Sequence, residues 1–137
     1  MPSFLRWSLF AALTCAAGSA DAATLHDLQG RYRVIVVFAP AETVAADAAA
    51  TLKRAADGID DRDIAWFVVG PGALQSNIDT PLDRDALETL HQTDGFETVL
   101  VGKDGGVKSR QTETLDVNTL FADIDQMPMR RREMENR

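Results

Sequence analysis

The chain has 137 residues, a formal net charge of −7 and a hydrophobic content of 45%. This length suits one domain with a core of its own, and the hydrophobic content excludes a disordered chain. The acidic balance argues against nucleic-acid binding and against a broadly cationic membrane-binding surface, because both need a face that attracts phosphate. A single cysteine excludes a disulfide within the chain.

An export signal is the first element that the sequence predicts, over residues 1–22. A positive charge at Arg6 precedes the apolar run Trp7–Ala17, and Ala20-Asp21-Ala22 supplies the small residues that signal peptidase reads. The run is about half as long as a membrane-spanning helix, and the residues before Cys15 match a lipoprotein signal poorly. We therefore expect cleavage after this motif and a periplasmic or secreted location. The mature chain would carry no thiol, because Cys15 leaves with the signal.

Two continuous apolar runs predict the centre of a sheet within a domain of residues 23–128. The runs Arg33–Ala39 and Ile64–Val69 are typical of strands buried on both faces. Between them, apolar residues recur at helical spacing from Glu42 to Gly58. Strand, helix and strand in this order predict a right-handed parallel crossover.

A polar segment and a second helix are expected next. The segment Ala73–Asp79 is predicted to be a loop. Thr80 has the side chain of an N-cap, Pro81 suits the first helical position, and Asp83 is the acid three residues after the cap. We therefore predict a helix that Thr80 caps, that begins at Pro81 and that ends at Asp94-Gly95.

A hairpin and a last helix complete the predicted domain. Phe96–Val101 and Val107–Glu113 are predicted strands, and Gly102–Gly106 is the tight turn between them. Asp116 is expected to cap a helix whose apolar side continues to Met127. The predicted fold is therefore α/β, in the order β-α-β-α-β-β-α. This order is that of a thioredoxin-like three-layer sandwich around a four-stranded mixed sheet.

Four segments of the mature chain also resemble a known family, domain-of-unknown-function family 4174. This is the P-DUDES type of domain, which certain vertebrate extracellular-matrix and sushi-repeat proteins share. The segments are Leu28–Ala39, Arg62-Asp63, Phe96–Lys108 and Ile124–Glu133. The resemblance implies a thioredoxin-like fold and an extracytoplasmic habitat, and it implies no reaction.

The place where a thioredoxin-like enzyme keeps its cysteines reads Ala39-Pro-Ala-Glu-Thr43, and the segment before the third strand has no proline. Disulfide exchange and thiol peroxidase chemistry are therefore excluded for the mature chain. Glu42 is a candidate acid or ligand contact, since loops at the carboxyl ends of parallel strands bind ligands in α/β sheets. The same residue also suits the first turn of a helix for electrostatic reasons alone.

Three residues of the predicted hairpin, Lys103, Asp104 and Lys108, are candidates for partner binding. The glycines beside them do not predict a phosphate-binding loop, because a strand and not a helix follows. The carboxylates of the segment Asp57–Asp63 lack the spacing of a calcium loop, and the two histidines lack zinc-ligand spacing. We therefore expect no metal centre in this part of the chain, and no cofactor.

Residues 129–137 are predicted to form a charged C-terminal tail. Arg130, Arg131 and Arg132 form the only basic run of the chain, which predicts docking to a partner's carboxylates or weak contact with anionic lipid headgroups. The thioethers of Met127, Met129 and Met134 are soft ligands that suit Cu(I).

These observations favour an exported, non-redox binding or accessory protein whose partner is an envelope or extracellular protein. The first alternative is an enzyme with a non-thiol acid/base site at the carboxyl ends of the strands, using Glu42, Lys103 or Asp63. The second alternative is Cu(I) handling by the Met127-Pro-Met129 segment with Met134.

Overall fold

The computed structural model describes residues 24–80 and 82–137. The expected export signal of residues 1–22 and the expected helix start at Pro81 lie outside the described residues. The described elements are α1 Leu25–Leu28, β1 Arg33–Phe38, α2 Glu42–Arg54, α3 Ala56–Asp61, β2 Ile64–Val69, β3 Leu74–Ser76, α4 Arg84–Glu88, β4 Glu97–Val101, β5 Val107–Gln111, α5 Val117–Asp125 and α6 Pro128–Glu135.

The strands form one mixed sheet in the order β3-β2-β1-β4-β5. The strand β1 pairs in parallel with β2 and antiparallel with β4, and β5 pairs antiparallel with β4. The predicted parallel crossover and the predicted hairpin are both confirmed. The sheet has five strands where four were predicted, because Leu74–Ser76 pairs with the edge of β2 inside the segment expected to be a loop. Three residues are too few for an alternating pattern to reveal a strand.

Helices cover both faces of the sheet, so the three-layer architecture is confirmed. Every residue of β1 and β2 is buried, as the continuous apolar runs predict. One core lies on the sheet face that packs against α2, α3 and α5, and it includes Ile35, Trp66, Leu100, Leu120 and Ile124. The second core lies on the face that packs against α1 and α4, and it includes Leu28, Val36, Phe67, Leu87 and Val99.

Helix boundaries differ from the sequence expectation at several places, and two described helices, α1 and α6, were not predicted as helices. The helix predicted over 42–58 is divided into α2 and α3 at Ala55. The helix α4 begins at Arg84, three residues later than predicted, because Asp83 is the N-cap and accepts a hydrogen bond from the Asp85 backbone N–H at 3.1 Å. It ends at Glu88, before the predicted end at Asp94-Gly95. The predicted cap of α5 is confirmed, since Asp116 accepts from the Thr119 backbone N–H at 3.1 Å. Among the described helices, none is both long and apolar enough to cross a membrane.

Candidate functional site

The carboxyl ends of β1 and β2 hold polar groups that bond to the nearby backbone. Glu42, the candidate acid at this end, accepts a hydrogen bond from the Gly72 backbone N–H at 2.6 Å. Arg84 donates to the carbonyl oxygens of Gly70 and Gly72 at 2.6 and 2.7 Å. These bonds fix the turn that follows β2, so the known contacts of Glu42 and Arg84 are structural.

A histidine lies at the same end without a catalytic partner among its contacts. The His91 ring stacks on Phe38 with a centroid distance of 4.3 Å and an interplanar angle of 5°. Its Nε2 lies 2.8 Å from the Gly95 carbonyl oxygen, so Nε2 carries the proton and donates. His91 and Phe38 line a cavity of about 280 Å³. No peptide bond in the described residues is cis, and the described sequence contains no cysteine.

A larger cavity, of about 580 Å³, lies between the β4–β5 turn and the start of α6. We call it the hairpin–α6 cavity. Its lining residues are Arg33, Gly102, Lys103, Asp104, Lys108, Ser109, Asp123, Gln126, Met127, Pro128 and Met129. The fold therefore brings the three predicted hairpin residues together with two of the three tail methionines. The remaining sequence candidates do not line it: Glu42, Asp63, Met134 and Arg130–Arg132.

One wall of the cavity contains Arg33, a buried charged residue that sequence reasoning did not select. Its side chain is 1% exposed. The two Nη atoms donate to Glu133 at 3.2 and 3.3 Å, and Nη1 also donates to the Arg62 carbonyl oxygen at 2.9 Å. Its Nε has no hydrogen-bond partner. A buried donor without an acceptor lowers the stability of the folded state by about 1–3 kcal/mol, so such groups are rare in folded proteins.

Ser109 supplies a second unpartnered polar atom on the cavity wall. Its Oγ is buried and makes no hydrogen bond. Ser109 pairs with Leu100 across the hairpin, and Leu100 belongs to the same core as Ile35. Since Arg33 is two residues before Ile35 on β1, Arg33 and Ser109 project from the same face of the sheet.

The two lysines of the cavity are held in ion pairs. Lys103 is 9% exposed, and its Nζ donates to Glu133 at 2.6 Å and to Asp63 at 2.9 Å. Lys108 donates to Asp104 at 2.7 Å. Hydrogen bonds from Lys108 and from the Gly106 backbone N–H hold the pKa of Asp104 below its ordinary value. The turn is therefore fixed around its charged side chains.

The fold buries one of the three arginines that were predicted to dock to a partner and exposes the other two. Arg130 is 3% exposed, and it donates to Asp61 at 2.6 Å and to Asp125 at 3.2 Å. Arg131 and Arg132 are exposed. Consecutive residues of a helix point in different directions, and Arg130 is the one that points inward and holds α6 against the domain.

Three carboxylates around α6 are stabilised in their ionised form. Hydrogen bonds from Arg137 and Arg130 lower the pKa of Asp61, and a hydrogen bond from Arg62 is the main cause that lowers the pKa of Asp125. Burial raises the pKa of Glu133, but the hydrogen bonds from Lys103 and Arg33 outweigh it and the net shift is downward. These charges therefore attach α6 to the start of β1 and the end of β4.

The tail methionines do not converge as a set. Met127 packs partly buried against the core, whereas Met129 and Met134 are 42% and 40% exposed. Only Met127 and Met129 reach the hairpin–α6 cavity. Over residues 24–80 and 82–137, no group of three or more His, Cys, Asp or Glu side chains is placed to hold a metal ion.

The fold and the residues after β1 define a thioredoxin-like domain whose described part contains no thiol. A solved structure of reduced 2-Cys peroxiredoxin from Plasmodium vivax is similar to it, with a TM-score of 0.55 and 16% sequence identity. The similarity covers 79% of this chain and 84% of that chain, and it establishes the fold.

The chain belongs to the family described as "Domain of unknown function (DUF4174)", whose model matches residues 24–133. The resemblance seen in the sequence is thereby confirmed. The matched region contains every residue that lines the hairpin–α6 cavity, from Arg33 to Met129. It also contains Arg130 and Glu133. No curated protein matches the chain.

Proposed function

We propose that this chain is an exported, non-redox thioredoxin-like binding protein and that the hairpin–α6 cavity is its binding site. One observation carries the proposal: two buried polar atoms without partners, Arg33 Nε and Ser109 Oγ, belong to residues that line the same cavity. A folded chain normally satisfies such atoms, so a ligand that bonds to them is a physical reason for leaving them free.

The size and lining of the cavity support this proposal. A volume of about 580 Å³ lies within the range of small-molecule sites. Such sites combine apolar walls with a few polar groups that fix the ligand's orientation. Met127, Pro128 and Met129 supply apolar surface here, and the polar groups come from β1 and β5.

A non-redox function is favoured because the position after β1 is occupied by Ala39 and Pro40. The only cysteine of the sequence is Cys15, which we propose is removed with the export signal. Glu42 bonds to the turn after β2, and this contact favours a structural role for it over an acid/base role.

An accessory role needs a partner, and we propose that an envelope or extracellular protein is recognised through Arg131 and Arg132. Both side chains are exposed. Arg132 donates from Nε to the Pro128 carbonyl oxygen at 3.4 Å, which leaves its two Nη groups to form a pair with a partner's carboxylate.

Affinity capture of the tagged mature chain from its own cell envelope tests these proposals. Retained small molecules and proteins are identified by mass spectrometry, and the N-terminal residue of the processed chain reports cleavage. Two variants separate the sites: Ser109→Leu fills the cavity, and Arg131→Ala with Arg132→Ala removes the exposed charges. Thr98→Val is the matched control, because Thr98 is buried on a neighbouring strand and does not line the cavity.

We expect a compound that Ser109→Leu no longer retains and that Thr98→Val still retains. A protein lost only from the double arginine variant supports the proposed partner surface. A capture that is empty, or identical for all variants, contradicts the binding function. An unprocessed N-terminus contradicts export.

A further inference from the structure

We propose that α6 is a lid on the hairpin–α6 cavity, that ion pairs hold this lid closed and that salt releases it. The start of α6 supplies Pro128 and Met129 to the cavity wall, so its departure opens that wall. The inference names the regulation of the same site and rests on the proposed function for the use of the cavity. The release of α6 itself is measured without a ligand.

Apolar side chains do not anchor α6 in the core. Over its full length, residues 128–135, Arg130 is the one buried residue, and Pro128, Met129 and Met134 are all exposed. The preceding helix α5 buries three apolar side chains in the core. Since helices in proteins are stabilised mainly by the packing of an apolar face, the hydrophobic effect anchors α5 and does not anchor α6.

Charged side chains attach α6 to the domain instead. Glu133 pairs with Arg33 at 3.2 Å and with Lys103 at 2.6 Å. Arg130 pairs with one carboxylate of α3 and one of α5, and Arg137, just after the helix, pairs with the same carboxylate of α3. Each carboxylate in these pairs is 27% or 35% exposed, so dissolved ions screen the attachment.

Three of the groups that α6 contacts keep another partner when it leaves. Lys103 also donates to Asp63 at 2.9 Å, and Arg33 also donates to the Arg62 carbonyl oxygen at 2.9 Å. Asp125 also pairs with the Arg62 side chain at 2.9 Å. Separation returns both members of each broken pair to water, unlike a substitution that leaves one charge buried alone. Opening therefore requires far less free energy than unfolding of the domain.

The link between α5 and α6 has the geometry of a hinge. Two residues, Gln126 and Met127, separate the end of α5 from Pro128 at the start of α6. Met127 has φ −70° and ψ 140°, which is extended backbone, and Pro128 has no N–H that could continue the hydrogen bonds of α5. Met127 also packs against the core, so rotation about its backbone moves α6 and leaves α5 in place.

Hydrogen exchange of backbone amides in the mature chain tests the release of α6. A helix of eight residues is not stable alone in water, so its amides exchange each time α6 detaches. We expect them to exchange about tenfold faster in about 0.5 M NaCl than in about 0.02 M NaCl, because the Debye length falls from roughly 20 to roughly 4 Å. The amides of α5 should change by less than about twofold, since salt does not screen apolar burial.

Two glutamates of α6 provide a matched pair of variants. Glu133→Gln removes the charge that pairs with Arg33 and Lys103, and it should speed α6 exchange about tenfold at low salt. Glu135→Gln removes an exposed charge of the same helix that takes no part in these pairs, and it should leave α6 exchange unchanged. Arg137→Gln removes one exposed contact and should speed α6 exchange about threefold. Slow α5 exchange in each variant shows that the domain remains folded.

Thiol labelling measures access to the cavity. Residues 23–137 contain no cysteine, so a single introduced thiol is the only one in the mature chain. Ser109→Cys places it at a buried position of the cavity wall, and iodoacetamide should label it about tenfold faster at high salt or with Glu133→Gln, in proportion to the open population. Thr98→Cys is the matched control. Thr98 is also buried with an unpartnered hydroxyl and does not line the cavity, so labelling there should stay slow.

Salt-independent exchange of α6, or equal exchange in the Glu133→Gln and Glu135→Gln chains, would overturn the attachment by ion pairs. Faster α6 exchange with unchanged labelling of Ser109→Cys would show that α6 is not the lid of the cavity. If either result occurs while envelope capture retains a compound that Ser109→Leu loses, the lid is wrong and the binding function stands. If exchange and labelling rise as expected and the capture is empty, the lid is supported and the binding function is wrong.

Discussion

The two ends of the sheet use their polar groups in opposite ways. At the carboxyl ends of β1 and β2, Glu42, Arg84 and His91 each have a backbone partner, and the surrounding turns are thereby fixed. At the other end, Arg33 and Ser109 each leave a buried atom without a partner beside a cavity twice as large. In this thioredoxin-like domain, the polar side chains at the carboxyl ends of the parallel strands are therefore used to fix turns. The buried polar atoms without hydrogen-bond partners lie at the opposite end of the sheet.

The ion pairs of Arg130 should give the largest effect on stability at the cavity end. Arg130→Ala removes bonds to Asp61 and Asp125 and frees α6, which should lower the free energy of unfolding by about 2 kcal/mol. Urea unfolding measures the change. Arg131→Ala is the matched control, because its side chain is exposed and should change stability by less than about 0.5 kcal/mol. Equal effects for the two variants would mean that α6 is not held by Arg130.

Acid should weaken the contacts that hold α6 at this end of the sheet. The pKa values of Asp61, Asp125 and Glu133 are lowered in the folded chain, so these groups contribute stability above their ordinary values of 3.8 and 4.5. This stability is lost as the pH falls from those values through the lowered pKa values. Urea unfolding between pH 7 and pH 3 should show the loss, and Arg130→Ala should flatten the dependence. A variant curve parallel to that of the unaltered chain would refute the assignment.

Removal of an unpartnered hydroxyl should stabilise the chain without ligand. Ser109→Ala and Thr98→Val each delete a buried oxygen that makes no hydrogen bond, and each should raise the free energy of unfolding by about 1 kcal/mol. Thermal and urea unfolding check the gain. Destabilisation by Ser109→Ala would indicate that its hydroxyl is satisfied in solution, which removes the main support for the site.

The smallest effect is expected at the other end, from Glu42→Gln. The amide oxygen can still accept the hydrogen bond from Gly72, so the free energy of unfolding should fall by only about 0.5 kcal/mol. The compound retained in the envelope capture should be unchanged, because Glu42 does not line the hairpin–α6 cavity. A loss of that compound from the Glu42→Gln chain would show that the two ends are coupled.

Local patterns predicted much of the fold. The apolar runs of β1 and β2, the turn Gly102–Gly106 and the Asp116 cap each involve residues close in sequence, and the structure has all of them. The strand β3 was missed, because three residues carry no periodic signal. The start of α4 was placed too early because Thr80 and Asp83 are both good caps, and the tertiary position of the buried Leu82 decides between them.

The candidate site was predictable only in pieces. Residues of the hairpin and the tail were selected separately, and no spacing rule brings Lys103 and Met129 to one cavity. Arg33 was treated as the first residue of an apolar run. The available signal was a charged residue at the first position of an apolar strand. Arginine is seldom fully buried without partners, so Arg33 could have been expected to have an acidic partner. Its partner Glu133 lies 100 residues further along the chain, beyond the reach of local patterns.

That separation has a kinetic consequence. Closing a loop of 100 residues is entropically costly, and the contacts between Arg33 and Glu133 repay it only after the sheet has formed. We therefore expect α6 to join late in folding. Weakening the contacts of α6 should speed unfolding and leave the folding rate nearly unchanged. The time for which the cavity stays intact is therefore set by how long α6 remains attached.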